Sequence, residues 1–239
     1  MITTMKEAVF SRKFALISIF ISVAVLFSFN LASNGKKEVT ADNIVRKLQS
    51  KYNNLKGFRA DFTQSLLSTS SSSRISESGK LIIKKGGKMK WKYTDPEEKL
   101  FVCDGSSCYM YLVEENLVQR FSLEQLDTRS APMLFFSGRG VLERDFVIEL
   151  IPYKFSMFDY EKDSFCTLKL KPKGESERFD HILALVNLRT YLIERMVVVD
   201  LMGNKTDYNF KSIEELDTVA ESEFKFKIPQ DAEIVEVGE

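Results

Sequence analysis

The sequence predicts a mainly β domain in which one amphipathic helix precedes a large antiparallel sheet of about ten strands that is able to curl. Three observations support this prediction. Apolar and polar residues alternate with strand period through most of the chain after residue 57. The alternating runs follow one another in order, with short turns rich in Gly, Ser and Asn between them. The chain has 239 residues, of which 44% are hydrophobic, and this suits one globular domain.

Residues 1–35 differ in composition from the rest of the chain. A basic stretch precedes the apolar run from Phe14 to Ala32, and the small residues Ser33 and Gly35 follow it. This order of basic, apolar and small residues is typical of an export signal. The apolar run is also long enough to span a bilayer, so an uncleaved membrane anchor is the alternative.

The charge balance argues against a nucleic-acid partner. The formal net charge is +0 at pH 7, whereas proteins that bind a phosphate backbone usually carry a clear excess of Lys and Arg. We therefore expect no nucleic acid among the partners. The lysine-rich sides of the strands are interpreted as solvated faces.

One long segment has helical spacing. It begins near Thr40, where Thr40 or Asp42 can cap the first turn, and Gly57 ends it. The apolar positions that recur at helical spacing are Ile44, Leu48, Tyr52 and Leu55. The apolar stripe of this helix must cover another element, and the sheet is the candidate.

The strands are predicted from alternation and from the turn residues between them. Phe58–Thr63 is the first, and the serine-rich stretch 68–74 is a turn. Strands containing Leu81 and Ile83, then Met89, Trp91 and Tyr93, and then the hairpin around Cys103 and Cys108 come next. The later strands are predicted at Asn116–Phe121, Phe146–Leu150, Phe165–Leu170, His181–Val186, Ile193–Leu201, Lys205–Phe210 and Phe224–Ile228.

Cys103 and Cys108 flank a four-residue loop between two apolar runs, so a hairpin would place them opposite each other. An exported protein meets an oxidising compartment, and a disulfide is then expected. The alternative is a pair of small buried hydrophobic side chains. Both faces of this hairpin are apolar. Either a core on both sides of the sheet or a curved sheet lining a cavity for an apolar ligand explains this, and composition leaves both open.

Residues 130–140 interrupt the strand pattern. Pro132 near the start and Gly138 near the end predict a short helix, and its centre is apolar. A helix this apolar cannot face water. We expect it to pack, together with the first helix, across the open side of the curled sheet.

Candidate catalytic groups are absent from the sequence. The one histidine, His181, lies in an apolar strand and is interpreted as structural. A single C-x₄-C pair with one remote histidine is a poor metal site, and Gly138-Arg139-Gly140 is not a dinucleotide fingerprint. We expect a protein that is not an enzyme and that needs no cofactor and no metal.

Seven motifs occur in an order that resembles the LolA family of outer-membrane lipoprotein carrier proteins, from about residue 40 to 235. They are F-x-A-x-F-x-Q (58–64), G-x-L (79–81), K-M-K-W-K-Y-x-x-P (88–96), L-F-V-C-D-G (100–105), the apolar P-M-L helix, I-E-R-M-x-x-x-D-x-x-G-N-x-T-x-Y-x-F (193–210) and F-K-F-x-x-P (224–229).

The resemblance implies an α+β fold: an unclosed antiparallel β-barrel, or half-barrel, with a short helical lid over a hydrophobic cavity. It divides the chain into an export signal at 1–35 and a carrier domain at 36–239. It implies a monomeric periplasmic carrier that takes the acyl chains of outer-membrane-directed lipoproteins from an inner-membrane lipoprotein-releasing ABC transporter. Delivery would be to the outer membrane, where a lipoprotein receptor is a further implied partner.

The resemblance also implies which residues form the site. The lipid-binding cavity is expected at Phe62, Leu81, Ile83, Met89, Trp91, Tyr93, Leu183 and Leu185. The lid is expected to involve Met133, Leu134, Phe136 and Leu48. Where the family has an Arg-Pro pair whose arginine latches the lid, this chain has Lys85-Gly86. Lysine offers one flexible ammonium instead of a planar fork, and glycine loosens the turn, so a softer latch is expected.

Two alternative functions remain at this point. One is a periplasmic sensor or regulator that uses the same half-barrel to detect lipoproteins or lipids. The other is a carrier of a different lipid, such as a glycolipid.

Overall fold

A computed structural model describes residues 40–70, 74–124, 140–152, 164–174 and 179–237. The predicted export signal at 1–35 and the lid residues Met133, Leu134 and Phe136 lie outside these ranges. Within the described ranges, no helix is long and apolar enough to cross a membrane.

The predicted amphipathic helix is present as α1 (Ala41–Asn54). Thr40 is the N-cap, and its side chain accepts a hydrogen bond from the backbone N–H of Asn43. Ile44, Val45 and Leu48 are buried on one side of the helix, as the spacing predicts. A second, one-turn helix is α2 (Leu142–Asp145).

The described residues form one sheet of twelve strands. The strands are β1 (Gly57–Leu67), β2 (Arg74–Lys84), β3 (Lys88–Asp95), β4 (Lys99–Asp104), β5 (Ser107–Leu112), β6 (Leu117–Ser122), β7 (Phe146–Ile151), β8 (Phe165–Pro172), β9 (His181–Asn187), β10 (Ile193–Val199), β11 (Lys205–Glu215) and β12 (Glu233–Glu236). Their order is β12-β6-β5-β4-β3-β2-β1-β11-β10-β9-β8-β7. Because β12 and β7 are the two edges, the sheet is unclosed, which confirms the predicted fold class.

The pairing is antiparallel throughout, except that β12 runs parallel to β6. The predicted strand at Phe224–Ile228 is wrong. A 3₁₀ helix (Glu221–Phe224) occupies its start, and the next strand begins at Glu233. The alternation of Phe and Lys in this segment has a different origin: Phe224 is buried against the sheet, whereas Lys225 and Lys227 face solvent.

Ring contacts across the sheet show that it is strongly curled. The ring of Trp91 on β3 lies 6.2 Å from the rings of Tyr208 and Phe210 on β11, measured between centroids. β3 and β11 are three strand spacings apart, about 14 Å in a flat sheet. The sheet therefore bends around the intervening strands, and we call the side that carries Trp91 the concave face.

The opposite, convex face is covered in part by the C-terminal strap, residues 219–228. Glu221 forms ion pairs with Lys84 and Lys88, and Glu223 lies 3.1 Å from the ammonium of Lys90. The strap's aromatic residues pack on the sheet below: Phe224 is buried, and the ring of Phe226 lies 5.3 Å from that of Tyr109 and 6.0 Å from that of Tyr111. The lysine side of β3, interpreted from the sequence as a solvated face, is thus a docking face for the strap.

Candidate functional site on the concave face

Six of the predicted cavity residues lie together on the concave face. All six are buried and belong to one hydrophobic cluster: Phe62, Leu81, Ile83, Met89, Trp91 and Tyr93. Strand alternation and register bring them together, since Leu81 pairs with Trp91 and Ile83 pairs with Met89 across β2 and β3.

The centre of this cluster is an aromatic floor built around Phe62. Its ring centroid lies 4.9 Å from that of Trp91 and 5.0 Å from that of Tyr93, with edge-to-face geometry in both pairs. Gly79 separates Phe62 from Tyr93 in the sheet and has no side chain to block this contact. A Cβ at Gly79 would lie 1.9 Å from the carbonyl oxygen of Lys92, so the close approach of β2 and β3 requires glycine.

Leu183 and Leu185 do not face the same way as these six residues, and their assignment to the cavity is wrong. They belong to a separate cluster with Val197 and Val199. Their neighbours on β9, which are Ile182, Ala184 and Val186, join the concave cluster instead. The whole of β9 from 182 to 186 is buried, so its sequence carries no alternation from which the inward face could be read.

In the structure these concave side chains pack against one another and against α1. Leu48, assigned to the lid from the sequence, is fully buried in the same cluster. The hydroxyl of Tyr52 accepts a hydrogen bond from the backbone N–H of Ile193 at 3.2 Å, and burial raises the pKa of that hydroxyl. The side-chain oxygen of Gln49 accepts from the N–H of Leu142 at 2.9 Å. The helix is therefore held over one end of the concave face.

Lys85, the predicted lid latch, contacts α1. Its ammonium donates a hydrogen bond to the carbonyl oxygen of Asn53 at 2.9 Å. Asn53 lies in the last turn of the helix, where carbonyl groups lack intrahelical partners and the helix dipole favours a cation. Any contact of Lys85 with residues 130–139 lies outside the described residues.

Cys103 and Cys108 form a disulfide in the structure. They are direct partners in the β4–β5 hairpin, both are fully buried, and both belong to the concave cluster. The third cysteine, Cys166, is free and half-buried, and burial raises the pKa of its thiol to about 12.

A set of polar side chains crosses the concave face beyond the aromatic floor. We call it the polar band: Gln64, Glu77, Tyr93, Lys99 and Tyr208. The hydroxyl of Tyr93 donates to the side-chain oxygen of Gln64 at 3.1 Å, and the ammonium of Lys99 donates to Glu77 at 2.5 Å. Gln64 is the direct partner of Glu77 on one side and of Tyr208 on the other.

The electrostatics of the polar band follow from its burial. Desolvation raises the pKa of both Tyr93 and Tyr208, so their hydroxyls stay protonated. The hydrogen bond to Glu77 raises the pKa of Lys99, which keeps the ammonium charged. Of these five residues, only Tyr93 was predicted from the sequence to belong to the site. The available signal was Gln64, a polar residue at an inward position of β1.

Beyond the polar band, the concave face ends in an exposed apolar lip. Leu66 and Ile75 are direct partners and are 40% and 56% exposed. Strand alternation places Leu66 on the same face as Phe62 and Gln64, and it places Leu67 on the convex face. This end of the concave face lies away from α1, which packs over the opposite end of β1 around Phe58.

A groove lies at the α1 end of the sheet, beyond the last paired residues of β10 and β11. It has a volume of about 370 Å³ and is lined by Thr190, Leu192, Glu194, Asn209, Phe210, Lys211, Ser212 and Ile213. In the described part of the chain, no group of three or more His, Cys, Asp or Glu residues is placed to hold a metal ion. Within the described residues, the concave face is a curved apolar surface, and the polar band gathers several hydrogen-bonding side chains at one end of it.

Comparison with known proteins gives a family match over most of the chain. The model of the family described as outer membrane lipoprotein carrier protein LolA matches residues 53–227. The outer-membrane lipoprotein carrier protein of Pseudomonas putida KT2440 is 28% identical over 178 residues, covering 74% of this chain and 80% of that protein. The protein of the same name from Cupriavidus necator is 28% identical over 193 residues, covering 79% of this chain and 86% of that protein.

A solved structure has the same fold. The crystal structure of an uncharacterized conserved protein from Thermus thermophilus superposes with a TM-score of 0.52 at 12% sequence identity. The match covers 82% of this chain and 98% of that chain. At this identity the likeness concerns the fold alone.

Proposed function

The chain belongs to the LolA family of outer membrane lipoprotein carrier proteins, and on that premise we propose that it carries lipoproteins across the periplasm by sheltering their acyl chains against its concave face. The observation that carries this proposal is the continuous apolar surface of that face. It runs from β4 through Trp91 and Phe62 to Met196 on β10, on a sheet that is curled and unclosed.

The energetics explain why such a carrier is needed. Moving one methylene group out of water is favourable by about 0.8 kcal/mol. For three chains of about 16 carbons, the free-energy cost of exposure to water is therefore on the order of 35 kcal/mol. A concave apolar face removes that surface from water without covalent chemistry. On this proposal the protein is a carrier and not an enzyme.

The empty concave face is filled by its own side chains, so loading requires it to open. An acyl chain would replace contacts that Met89, Met196 and the aromatic floor make with one another and with Leu48 of α1. Methionine side chains suit this exchange because they are flexible and adapt to irregular partners. The recovery of these contacts on emptying favours release, which a shuttle needs as much as uptake.

The proposal includes a compartment and partners. Residues 1–35 would direct export to the periplasm. An inner-membrane ABC transporter would transfer lipoproteins to the carrier and supply the energy, and the outer membrane or a receptor there would accept the lipoproteins. The lid residues Met133, Leu134 and Phe136 would cover the acyl chains. These assignments rest on the family, and the composition of residues 1–35 supports the first.

The test is lipoprotein release from spheroplasts. The protein without residues 1–35 is incubated with spheroplasts that are synthesising labelled lipoproteins, and the label in the soluble fraction is measured. We expect wild-type protein to release lipoproteins as soluble complexes. Release of none, together with binding of other lipids, would replace this proposal with the carrier of a different lipid.

A matched pair of variants at the lip shows which face is used. Leu66→Gln puts an amide on the concave side, and Leu67→Gln makes the same change on the convex side at similar exposure, 40% against 47%. Because both residues are exposed, both variants should fold. Reduced release with Leu66→Gln alone supports the concave face, whereas equal release by the two variants argues that acyl chains do not pass this lip.

A further inference from the structure

The polar band is unexpected on a surface that otherwise suits hydrocarbon. Inward positions of a β-strand facing a core are usually apolar, because an unsatisfied buried polar group is costly. Here three strands place polar side chains in one cross-strand row, Glu77, Gln64 and Tyr208. The next row adds the hydroxyl of Tyr93 and the ammonium of Lys99, which are direct partners on β3 and β4.

The position of the band matches the junction between the hydrocarbon and the polar part of a lipid. Along β1, Phe62 lies on the aromatic floor, Gln64 in the polar band and Leu66 at the exposed lip. A ligand whose acyl chains lie on the floor would bring its linking ester or amide groups to Gln64. Its more polar part would then continue past the lip to solvent.

The hydrogen bonds within the band orient donors toward such a linkage. The hydroxyl of Tyr93 donates to the side-chain oxygen of Gln64, so the amide NH₂ of Gln64 is directed away from Tyr93 and can donate to a ligand carbonyl. Lys99 uses one N–H for Glu77 and lies 3.6 Å from Glu97, which leaves at least one N–H for a ligand. Ester and amide carbonyl oxygens are acceptors that suit both groups.

The charges of the band, taken together with the neighbouring Glu97, disfavour an anionic ligand. The ammonium of Lys99 lies 2.5 Å from Glu77 and 3.6 Å from Glu97, so one cation faces two carboxylates and the local net charge is −1. Glu77 is 17% exposed and Lys99 25%. A phosphate placed here would meet an ammonium already neutralised by two carboxylates, in surroundings that screen charge less than water does.

We propose that the polar band is a subsite for the uncharged ester and amide linkages of an acylated ligand, and that it discriminates against acyl chains linked to an anionic phosphate. This inference rests on the proposed function, because it assumes that acyl chains occupy the aromatic floor. It extends that function by naming the chemical class accepted at the polar end of the chains. Glu77 and Glu97 determine the selectivity, and Gln64 and Lys99 make the contacts.

A matched pair of lipids tests the inference. Dipalmitoylglycerol and dipalmitoyl phosphatidate share both chains and both esters and differ in the phosphate. Their dissociation constants are measured by displacement of an uncharged naphthylamine dye from the full-length carrier domain. We expect wild type to bind dipalmitoylglycerol at least about tenfold more tightly.

The variants change the local charge and keep the shape. In Glu77→Gln/Glu97→Gln the one remaining charge is Lys99, so the local net charge becomes +1, and we expect the preference to shrink to about twofold or to reverse. Tyr93→Phe, which removes the hydroxyl that orients the Gln64 amide and keeps the ring, should weaken dipalmitoylglycerol binding about threefold. Tyr111→Phe on the convex face, whose hydroxyl bonds Asn116, is the matched control and should change neither lipid.

Two results with these lipids would overturn the inference, and a third would overturn the proposed function as well. Equal binding of the two lipids by wild type overturns the inference, and so does the same preference in wild type and in the double variant. If neither lipid nor a triacylated lipopeptide displaces the dye from wild type, the proposed function itself fails and the inference fails with it.

Discussion

At the scale of single residues, which face a side chain occupies decides what it can do. Trp91 is buried on the concave face, while its neighbours Lys90 and Lys92 project to the convex side, where Lys90 reaches Glu223. Lys85 shows the same dependence on position. It stands in the turn before β3 and hydrogen-bonds the last turn of α1. The lysine that the sequence suggests as a lid latch is thus placed to hold a helix.

The first prediction concerns Lys85. Lys85→Ala removes the hydrogen bond to Asn53 and a cation at the end of α1, and it should lower the free energy of unfolding by about 0.5 to 1 kcal/mol. Lys85→Arg should restore most of it. Urea denaturation measures the change, and hydrogen exchange at the amides of the last helical turn localises it.

The same variant tests the latch. If Lys85 acts as a weak latch for the lid, Lys85→Ala should change the rate of lipoprotein release to acceptor membranes while uptake is preserved. A stability change with unchanged release would leave Lys85 as an α1 contact and remove it from the carrier cycle.

At the scale of elements, the C-terminal strap and the β4–β5 hairpin complete the sheet in different ways. The strap combines ion pairs to three lysines with burial of Phe224, and it leads into β12, which extends the sheet edge beside β6. The hairpin places a disulfide inside the concave cluster. The strap therefore adds contacts on the convex face, and the disulfide adds a covalent link on the concave face.

The second prediction is a pH dependence of strap docking. Hydrogen bonds from Lys84 and Lys88 lower the pKa of Glu221 from 4.5 to about 2. Because the folded-state pKa is depressed, this contribution to docking is fully present above about pH 4.5 and is lost as the pH falls toward 2. Protease sensitivity of residues 219–228 should rise in that window.

Glu221→Gln provides the reference for this prediction, because it removes the titrating group and keeps the size. The variant should show weaker docking at neutral pH and a smaller change between pH 4.5 and 2. Identical pH profiles for wild type and Glu221→Gln would show that other carboxylates control the strap.

The third prediction concerns the disulfide. Cys103 and Cys108 are separated by 5 in sequence, and closing so short a loop stabilises the folded state by about 2 kcal/mol in the chain-entropy estimate. Reduction of the wild-type protein should lower the free energy of unfolding by about this amount. The same reductant should have no effect on Cys103→Ala/Cys108→Ala. A much larger loss on reduction would indicate that the disulfide holds the concave packing as well.

At the scale of the whole molecule, the sheet is curled enough to form a concave face but is not closed into a barrel. Closure of a barrel would satisfy every strand edge but would fix the interior volume. The edges at β7 and β12 leave the curl of the sheet adjustable, and the packed concave face shows the empty form. On the proposed function, loading and release are a balance between contacts among the protein's own side chains and contacts with the acyl chains.

The fourth prediction uses the only tryptophan of the chain, Trp91, as a reporter of that balance. Because Trp91 lies at the centre of the concave cluster and contacts Phe62, Tyr208 and Phe210, binding of a triacylated lipopeptide should change its fluorescence in a saturable way. The unacylated peptide should leave the spectrum unchanged. Lipopeptide binding by equilibrium dialysis without any change in Trp91 emission would place the acyl chains elsewhere.

Much of the fold and part of the site could be predicted from the sequence, because the evidence is local. Helical spacing identified α1, and strand alternation identified most strands and the apolar side of β1, β2 and β3. The resemblance to the LolA family then assigned Phe62, Leu81 and Trp91 to the inward side. The order of seven motifs indicated the family. Helical spacing and strand alternation both depend on the period of side-chain direction along one segment, and that period is a property of the backbone.

Tertiary structure alone decided the remaining features. β9 is buried on both sides, so only its pairing with β8 and β10 shows that Ile182 faces the concave cluster and Leu183 does not. The alternating strap crosses a face instead of forming a strand, Lys85 meets α1, and the polar band gathers residues from five strands. A local pattern determines how often side chains change sides, whereas the partner that each side meets depends on contacts between segments far apart in the chain.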